Sequence, residues 1–342
     1  MAEIYLLDCT LRDGGYVNNW KFGQEGITQI KTGLEDAGID IIELGFFRNE
    51  PWDHDRTVFG DGRDIGHLMS KKKQGVIYSA MIEGSDPDSL YPIDKLLTPK
   101  ESGIDYIRVC TWKRLMKEHI DYCRQIGKQG YHISIQPTAV EQYGRQEFID
   151  LLKRADEIRP YALYVVDTWG TQSSSKICQY VELAERYLGP ETKIGYHGHN
   201  NKMQALNCAE AVIKMGLSHD ICLDASIMGM GRGIGNLQTE VIMEYLNENY
   251  GKHYDCIKMI ALYEKWLKKF YEENPWGYST YHFLSALYSC PQDFATYFKQ
   301  NRIGEGIFLE FLRGLKPHEK TVFNKGFVEE RLNEMRKKDC RA

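Results

Sequence analysis

The sequence lacks the features of several large protein classes. Lys and Arg do not outnumber Asp and Glu, and the formal net charge of −5 leaves no basic footprint of the kind that nucleic-acid-binding proteins carry. No apolar run approaches the roughly 20 residues needed to cross a bilayer. The N-terminus has no basic flank followed by an apolar core. We therefore expect no nucleic-acid partner, no membrane anchor and no signal peptide.

The cysteines also lack the pattern of a disulfide framework or a thiolate metal site. There are nine of them, an odd number, and no pair has C-x-x-C spacing. Reduced thiols in a cytoplasmic protein fit this usage best. The composition, 42% hydrophobic and 27% charged, is ordinary for a globular protein, and 342 residues can hold one domain of roughly 250 residues plus an appendage.

Short apolar runs recur along the first part of the chain, separated by segments with helical spacing. Successive runs begin about 26 to 36 residues apart, which is the length of one strand–helix unit. Eight such units favour an α/β fold of the (β/α)8 TIM-barrel type over an open doubly wound sheet. The predicted strands are Ile4–Asp8, Asp40–Gly45, Val76–Met81, Asp105–Cys110, Tyr131–Gln136, Ala162–Asp167, Lys193–His197 and Ile221–Ser226.

The pattern changes after about residue 250, where no further strand run occurs. Helices are predicted at Asp255–Glu273, His282–Tyr288, Gln292–Gln300 and Phe327–Lys338. We therefore expect a catalytic barrel over residues 1–250 and a helical C-terminal extension over residues 251–342. The extension would cover part of the barrel or mediate assembly into a homo-oligomer.

The C-terminal ends of the predicted strands are polar. Catalytic groups of TIM barrels come from these strand ends, so the residues there are candidates for the site. We expect substrate binding by Arg108, Gln136 and Thr168, which end or follow strands four, five and six. The other polar residues at these ends are Asp8, Arg12, Asp13, Glu43, Asp167, His197, His199 and Asn236.

His197-Gly198-His199 predicts a metal site. Residues two apart on a strand point to the same face, so both imidazoles can reach one ion. Asp13 adds an anionic oxygen, and Asn236 could add an amide oxygen. Mixed nitrogen and oxygen ligands without thiolate suit Mn²⁺, which we favour, or Mg²⁺, Co²⁺ or Zn²⁺. Two open positions on such an ion would fit a chelating 2-oxo acid, whose enolate the ion would stabilise as a Lewis acid.

Each of these residues also has a simpler interpretation. A His-x-His pair can be a hydrogen-bonded pair or a surface accident, and Asp13 can cap a helix. Glu43 lies inside an apolar strand, where a carboxylate needs a partner, and Arg12 is the obvious candidate. The glycine-rich run 229–236 matches neither a Rossmann nor a P-loop pattern, so a tight loop that brings Asn236 to the site is the better interpretation.

Five ordered motifs within residues 1 to about 245 resemble the DRE-TIM metallolyase superfamily. This superfamily includes 4-hydroxy-2-oxovalerate aldolases, hydroxymethylglutaryl-CoA lyases, and isopropylmalate, homocitrate and citramalate synthases. The strand seven and eight motifs look most like the 4-hydroxy-2-oxovalerate aldolases. The motifs are Thr10-Leu11-Arg12-Asp13-Gly14, Ile42-Glu43-Leu44-Gly45, Asp167-Thr168-Trp169-Gly170, Gly195-Tyr196-His197-Gly198-His199-Asn200-Asn201, and Asp224-Ala225-Ser226 through Gly235-Asn236.

The resemblance implies a metal-dependent carbon–carbon lyase that converts a 4-hydroxy-2-oxo acid into pyruvate and an aldehyde, or the reverse. Its metal ligands would be Asp13, His197 and His199, with Asn236 as a further ligand. Arg12 would stabilise the enolate oxygen, and Glu43 would hydrogen-bond around the metal and Arg12.

The chain departs from the aldolase pattern at two places. It has Tyr16 where those enzymes carry an acid/base histidine, and it reads Cys110-Thr111-Trp112-Lys113 after strand four. We expect Tyr16 to protonate or orient the substrate hydroxyl. Residues 235–240 lean towards the hydroxymethylglutaryl-CoA lyases instead. A Claisen-type acyl-CoA synthase or lyase is therefore the alternative function, and a non-catalytic ligand-binding barrel is the second alternative.

Overall fold

The computed structural model describes residues 2–69, 72–84 and 90–339. Eight parallel strands form a closed barrel, because the first strand pairs with both the second and the last. The predicted TIM barrel is therefore confirmed. The strands are β1 Ile4–Asp8, β2 Ile41–Phe47, β3 Val58–Phe59, β4 Ile77–Ile82, β5 Tyr106–Thr111, β6 His132–Pro137, β7 Ala162–Asp167, β8 Lys193–Gly198 and β9 Ile221–Ala225.

Strand β3 lies outside the ring and pairs only with the end of β2. The sequence did not predict it, since two residues are too few to show an alternating pattern. The eight ring strands match the eight predicted ones with boundary shifts of at most two residues.

The helices that follow the strands pack against the barrel through an apolar face. In α2, for example, Ile27, Ile30 and Leu34 are buried on one side at helical spacing. The helices of the barrel are α1 Gly15–Asn18, α2 Gln24–Asp36, α3 Gly62–Gly66, α4 Pro99–Ser102, α5 Met116–Lys128, α6 Arg145–Asp156, α7 Ser174–Tyr187, α8 Ala205–Lys214 and α9 Thr239–Tyr250.

The C-terminal part is helical, as predicted. The segment expected as one helix over Asp255–Glu273 is interrupted by a π-helical stretch, Tyr263–Leu267. Helix α14 was not predicted. The helices are α10 Cys256–Leu262, α11 Lys268–Glu273, α12 Thr280–Leu287, α13 Gln292–Gln300, α14 Glu305–Arg313 and α15 Lys325–Asp339.

These C-terminal helices bury an apolar cluster of their own, which is distinct from the main core around the barrel. Its aromatic members include Phe294, Phe298, Phe308 and Phe311. Helix α10 instead packs against α2 and α9 of the barrel. The division at residue 250 stays a prediction. None of the helices in the described ranges is both long and apolar enough to cross a membrane.

The barrel interior is layered, and this layering positions the site. An apolar layer that includes Ile41, Tyr106 and Cys222 fills the lower part of the barrel. Side chains alternate along a strand, so the residues two positions later on each of these strands also point inwards, one layer nearer the C-terminal ends. Those residues are Glu43, Arg108 and Asp224, and all three are buried and charged.

Candidate metal-binding active site

Asp13, His197 and His199 meet at the C-terminal end of the barrel. One ligand atom from each lies within 4.8 Å of the others, and all three side chains are buried. His199 Nε2 lies 3.7 Å from Asp13 Oδ2. The two histidines share a face because they flank Gly198, the last residue of β8, and Asp13 reaches them from the turn after β1.

Both imidazoles are held through their Nδ1 atoms. His197 Nδ1 lies 2.9 Å from Asp224 Oδ2, and His199 Nδ1 lies 3.3 Å from the carbonyl oxygen of Asp167. If Nδ1 carries the proton, each Nε2 presents a lone pair, which is the arrangement of metal-ligating histidines. Burial lowers the pKa of His197 despite the opposing effect of Asp224, which favours the neutral ring that a metal requires.

Two polar atoms at this point have no hydrogen-bond partner within the described ranges. They are His199 Nε2 and Asn236 Oδ1, and both are buried. Asn236 is oriented by its other amide atom, since Nδ2 donates to Asp13 Oδ2 at 2.6 Å. A Cβ on Gly231 would lie 2.8 Å from Asp13 Oδ2 and 2.4 Å from Asn236 Nδ2, so only glycine leaves this space open. Unpaired acceptors beside a carboxylate are what a cation would satisfy, and the residues present therefore fit a divalent ion.

A buried network of carboxyl and guanidinium groups surrounds these candidate ligands. Arg12 donates from Nε to Glu43 Oε2 at 2.7 Å and from Nη1 to Asp13 Oδ1 at 2.5 Å. Arg108 Nη1 lies 2.9 Å from the same Glu43 oxygen, and its Nη2 donates to Asp224. The predicted partnership between Arg12 and Glu43 is therefore present, and Arg108 shares it.

The carboxyl groups of this network outnumber its guanidinium groups. Burial alone would raise the pKa of Asp13, but Arg12 and the contact with His199 hold that pKa well below its usual range. Burial would also raise the pKa of Asp224. The contacts with Arg108 and His197 outweigh this effect, so the pKa of Asp224 is lowered. Three carboxyl groups, those of Asp13, Glu43 and Asp224, thus contact only two guanidinium groups, and a bound cation would add positive charge to this acidic cluster.

Most of the predicted site residues line one cavity at the C-terminal end of the barrel. It is lined by Arg12, Asp13, Tyr16, Gln136, Thr168, His197 and His199. Glu43, Arg108 and Asn236 do not line it. Arg108 is fully buried beneath it, with its guanidinium 4.6 Å from the centre of the Tyr164 ring, and contacts Gln136 from below at 3.3 Å.

Tyr16 occupies the edge of the cavity. Its ring packs edge-on against Trp20 at 4.9 Å, and the Arg232 guanidinium lies over its face at 5.5 Å. Burial and the nearby Glu83 carboxylate raise the pKa of its phenol well above the usual value. The phenol is therefore a proton donor and not a base at neutral pH.

The cavity also contains residues that the sequence analysis did not select, namely Glu83, Trp112, Arg232 and Gln292. Glu83 lies two residues beyond a predicted strand end, so the rule applied to the other strands could have found it. Asp224 was inside a quoted motif but was given no role. Gln292 lies in the helical extension, where no pattern in the sequence marked it.

Part of the chain matches a known protein family. The HMGL-like family model matches residues 106–264. The chain contains an HMGL-like domain. This confirms the resemblance to the DRE-TIM superfamily. Of the three candidate ligands, His197 and His199 lie inside the matched range and Asp13 lies before it.

Curated relatives of the chain are lyases by name. A 4-hydroxy-2-oxovalerate aldolase from Pseudoalteromonas translucida is 24% identical over 257 residues, covering 73% of this chain and 72% of the relative. An oxaloacetate decarboxylase from Mycobacterium tuberculosis is 26% identical over 249 residues, covering 71% of this chain and 70% of the relative.

Solved structures share the fold of the HMGL-like domain. The N-terminal domain of a protein assigned as an aldolase from Bacteroides vulgatus aligns with a TM-score of 0.77 at 24% identity, covering 91% of this chain and 100% of that one. The HMG-CoA lyase of Bacillus subtilis aligns with a TM-score of 0.61 at 18% identity, covering 79% of this chain and 93% of that one.

Proposed function

We propose that the protein is a divalent-metal-dependent carbon–carbon lyase that interconverts a 4-hydroxy-2-oxo acid with pyruvate and an aldehyde. The observation that carries this proposal is the Asp13, His197 and His199 triad, which shares one cavity with Arg12. The names of the relatives support it, since 4-hydroxy-2-oxovalerate and oxaloacetate are both 2-oxo acids. The cytoplasmic location and the homo-oligomeric state stay predictions.

Asp13, His197 and His199 would hold the ion, with the unpaired Oδ1 of Asn236 as a fourth ligand. Four ligands of nitrogen and oxygen type suit Mn²⁺, which we propose as the native ion. When bound, the ion would supply Lewis-acid polarisation of the keto and carboxylate oxygens of the substrate.

Arg12 would stabilise the charge that develops during cleavage. As the C3–C4 bond breaks, its electron pair moves towards the C2 oxygen, which becomes negative. Arg12 lines the cavity, and its Nε and Nη1 are fixed by Glu43 and Asp13, while its Nη2 has no partner among the residues described. A donor that is already oriented gains most from an oxygen that becomes charged only in the transition state.

Glu83 and Tyr16 would handle the proton of the C4 hydroxyl. In the cleavage direction this proton leaves the hydroxyl as the aldehyde carbonyl forms. Both side chains line the cavity, and Glu83 has a carboxylate that can accept the proton. One of its oxygens lies 3.4 Å from Arg48 Nη2, which fixes its position. Tyr16 would donate a hydrogen bond that orients the hydroxyl, in keeping with its raised pKa.

Gln136 and Thr168 line the cavity and would bind the substrate carboxylate. Because Arg108 is fully buried beneath them, we propose that it acts by positioning Gln136 and Glu43 rather than by contacting substrate.

The reaction itself tests the proposal. Incubation of the purified protein with Mn²⁺ and a 4-hydroxy-2-oxo acid should release pyruvate, measured by coupling to lactate dehydrogenase. Release of free CoA thiol from acetyl-CoA and a 2-oxo acid would support the Claisen-type alternative instead. Retention of metal with neither reaction would support a non-catalytic barrel.

Tyr16→Phe should lower kcat while preserving pyruvate binding, because it removes the donor to the substrate hydroxyl but keeps the ring. The loss should be on the order of 10²-fold, as for removal of one general acid–base group. Tyr16→His should retain activity with its optimum at lower pH, since an imidazole titrates near about 6.5. If Tyr16→Phe turns over at the wild-type rate from acid to alkaline pH, Tyr16 is a packing residue.

A further inference from the structure

The helical extension contributes one side chain to the active-site cavity. Gln292, the first residue of α13, is 2% exposed and lines the same cavity as His197 and His199. Among the residues that the structure describes, it is the only cavity-lining residue from beyond position 251. The site is therefore built by the barrel and the extension together.

The side chain of Gln292 has no hydrogen-bond partner among the residues that the structure describes. Both Oε1 and Nε2 are buried, and neither forms a hydrogen bond within the described part of the chain. Trp112, which follows β5 and also lines the cavity, has a buried indole Nε1 that likewise has no hydrogen-bond partner in the described part of the chain. Buried donors and acceptors are nearly always satisfied in folded proteins, so unpaired ones that face a cavity indicate groups held ready for a ligand.

Gly233 makes room for the Gln292 amide. Its φ of +68° is in the left-handed region, and a Cβ there would lie 2.1 Å from Gln292 Oε1. The amide is therefore held close to the loop that follows β9 by a backbone that only glycine accommodates without strain.

Arg232 places a positive charge beside Gln292. It lines the cavity and is paired with Asp293, the next residue of α13. Because Asp293 pairs with one side of this guanidinium, Arg232 cannot offer all of its N–H groups to a ligand carboxylate. Its remaining N–H groups can still donate to neutral oxygens.

This part of the cavity offers both hydrogen-bond donors and a hydrogen-bond acceptor. Trp112 and the amide nitrogen of Gln292 donate, whereas Gln292 Oε1 accepts. An alkyl chain would leave all three unpaired, and a carboxylate would leave the acceptor unpaired. A hydroxyl group both donates and accepts, so hydroxyl groups on a ligand can pair with the whole set.

We propose that Gln292, Trp112 and Arg232 form the binding site for the aldehyde-derived part of the substrate, and that this aldehyde carries hydroxyl groups. The inference rests on the proposed aldolase function and names the substrate class of that same site. A hydroxylated aldehyde such as glycolaldehyde or glyceraldehyde fits it, whereas an alkyl aldehyde does not.

The test compares aldehydes of equal size in the direction of addition to pyruvate. Glyceraldehyde and pentanal have the same number of non-hydrogen atoms, as do glycolaldehyde and propanal. The wild-type kcat/KM should favour the hydroxylated member of each pair by on the order of 10²-fold or more, because the alkyl member leaves buried polar groups unpaired. Gln292→Leu and Trp112→Phe should each reduce this ratio, mainly by slowing the hydroxylated aldehyde.

Gln146→Leu is the matched control, because this exposed glutamine lies on α6, away from the cavity. It should leave the ratio unchanged. Trp112→Phe keeps the ring and so provides a readout even if Gln292→Leu fails to fold. A wild-type preference for the alkyl aldehydes, or an unchanged ratio in a folded Gln292 or Trp112 variant, would overturn the inference.

Exchange of the pyruvate methyl protons in D₂O separates this outcome from failure of the proposed function. The exchange needs pyruvate activation but no aldehyde. Wild-type protein that exchanges these protons yet prefers alkyl aldehydes overturns the inference alone. Wild-type protein that neither exchanges nor adds any aldehyde overturns both.

Discussion

His197→Ala and Asp13→Ala should each abolish metal binding and lyase activity, while wild-type protein holds about one divalent ion per chain. His197 supplies one of the three candidate ligand atoms, and its ring is held by Asp224 at 2.9 Å. We therefore expect no neighbouring side chain to replace it as a ligand. In Asp13→Ala the site loses its anion, and Arg12 loses the partner at 2.5 Å that offsets its charge. Arg12 would then keep only its contact with Glu43, and the site would lack the carboxylate oxygen that we propose as a ligand of the cation.

Elemental analysis after dialysis, together with pyruvate release, measures both effects. His132→Ala is the matched control, since this exposed histidine begins β6 at the opposite end of the barrel. It should keep the wild-type metal content and rate. Wild-type metal content in both His197→Ala and Asp13→Ala would remove the triad from consideration as the metal site.

Arg12→Ala should lower kcat by on the order of 10²-fold or more, as for loss of one oxyanion donor. The reason is that Arg12 would act on the charge present in the transition state and not on the ground-state ketone. Metal binding should remain nearly intact. Asp13 keeps its hydrogen bond from Asn236 at 2.6 Å, and Glu43 keeps Arg108 at 2.9 Å.

Measurement of kcat and of metal affinity separates this role from a structural one. Arg12→Lys keeps a positive charge but loses the two-pronged contact with Glu43 and Asp13, so it should fold and recover only part of the rate. Arg124→Ala, on the outer helix α5, is the matched control. Weaker metal binding with a normal kcat at saturating metal would assign Arg12 to structure.

The sequence alone predicted the architecture and much of the site. Eight strand–helix units at regular intervals are local features, and closing them into a barrel is the arrangement that buries their apolar faces. The proximity of His197 and His199 followed from the alternation of side chains on a strand. The pairing of Arg12 with Glu43 followed from the cost of burying a lone carboxylate, and the structure shows that pair at 2.7 Å.

Only the tertiary structure determined the depth of each strand residue and the partners that lie far apart in sequence. Alternation shows that Arg108 points inwards, but its height in the barrel depends on the stagger between strands. The structure places it below the cavity, paired with Asp224, which lies 116 positions away. Gln292 enters the cavity because α12 to α15 pack around their own aromatic cluster and α13 meets Arg232 of the barrel loop. The local spacing of residues contains no information on where such a helix docks, because docking depends on surfaces that exist only once both parts have folded.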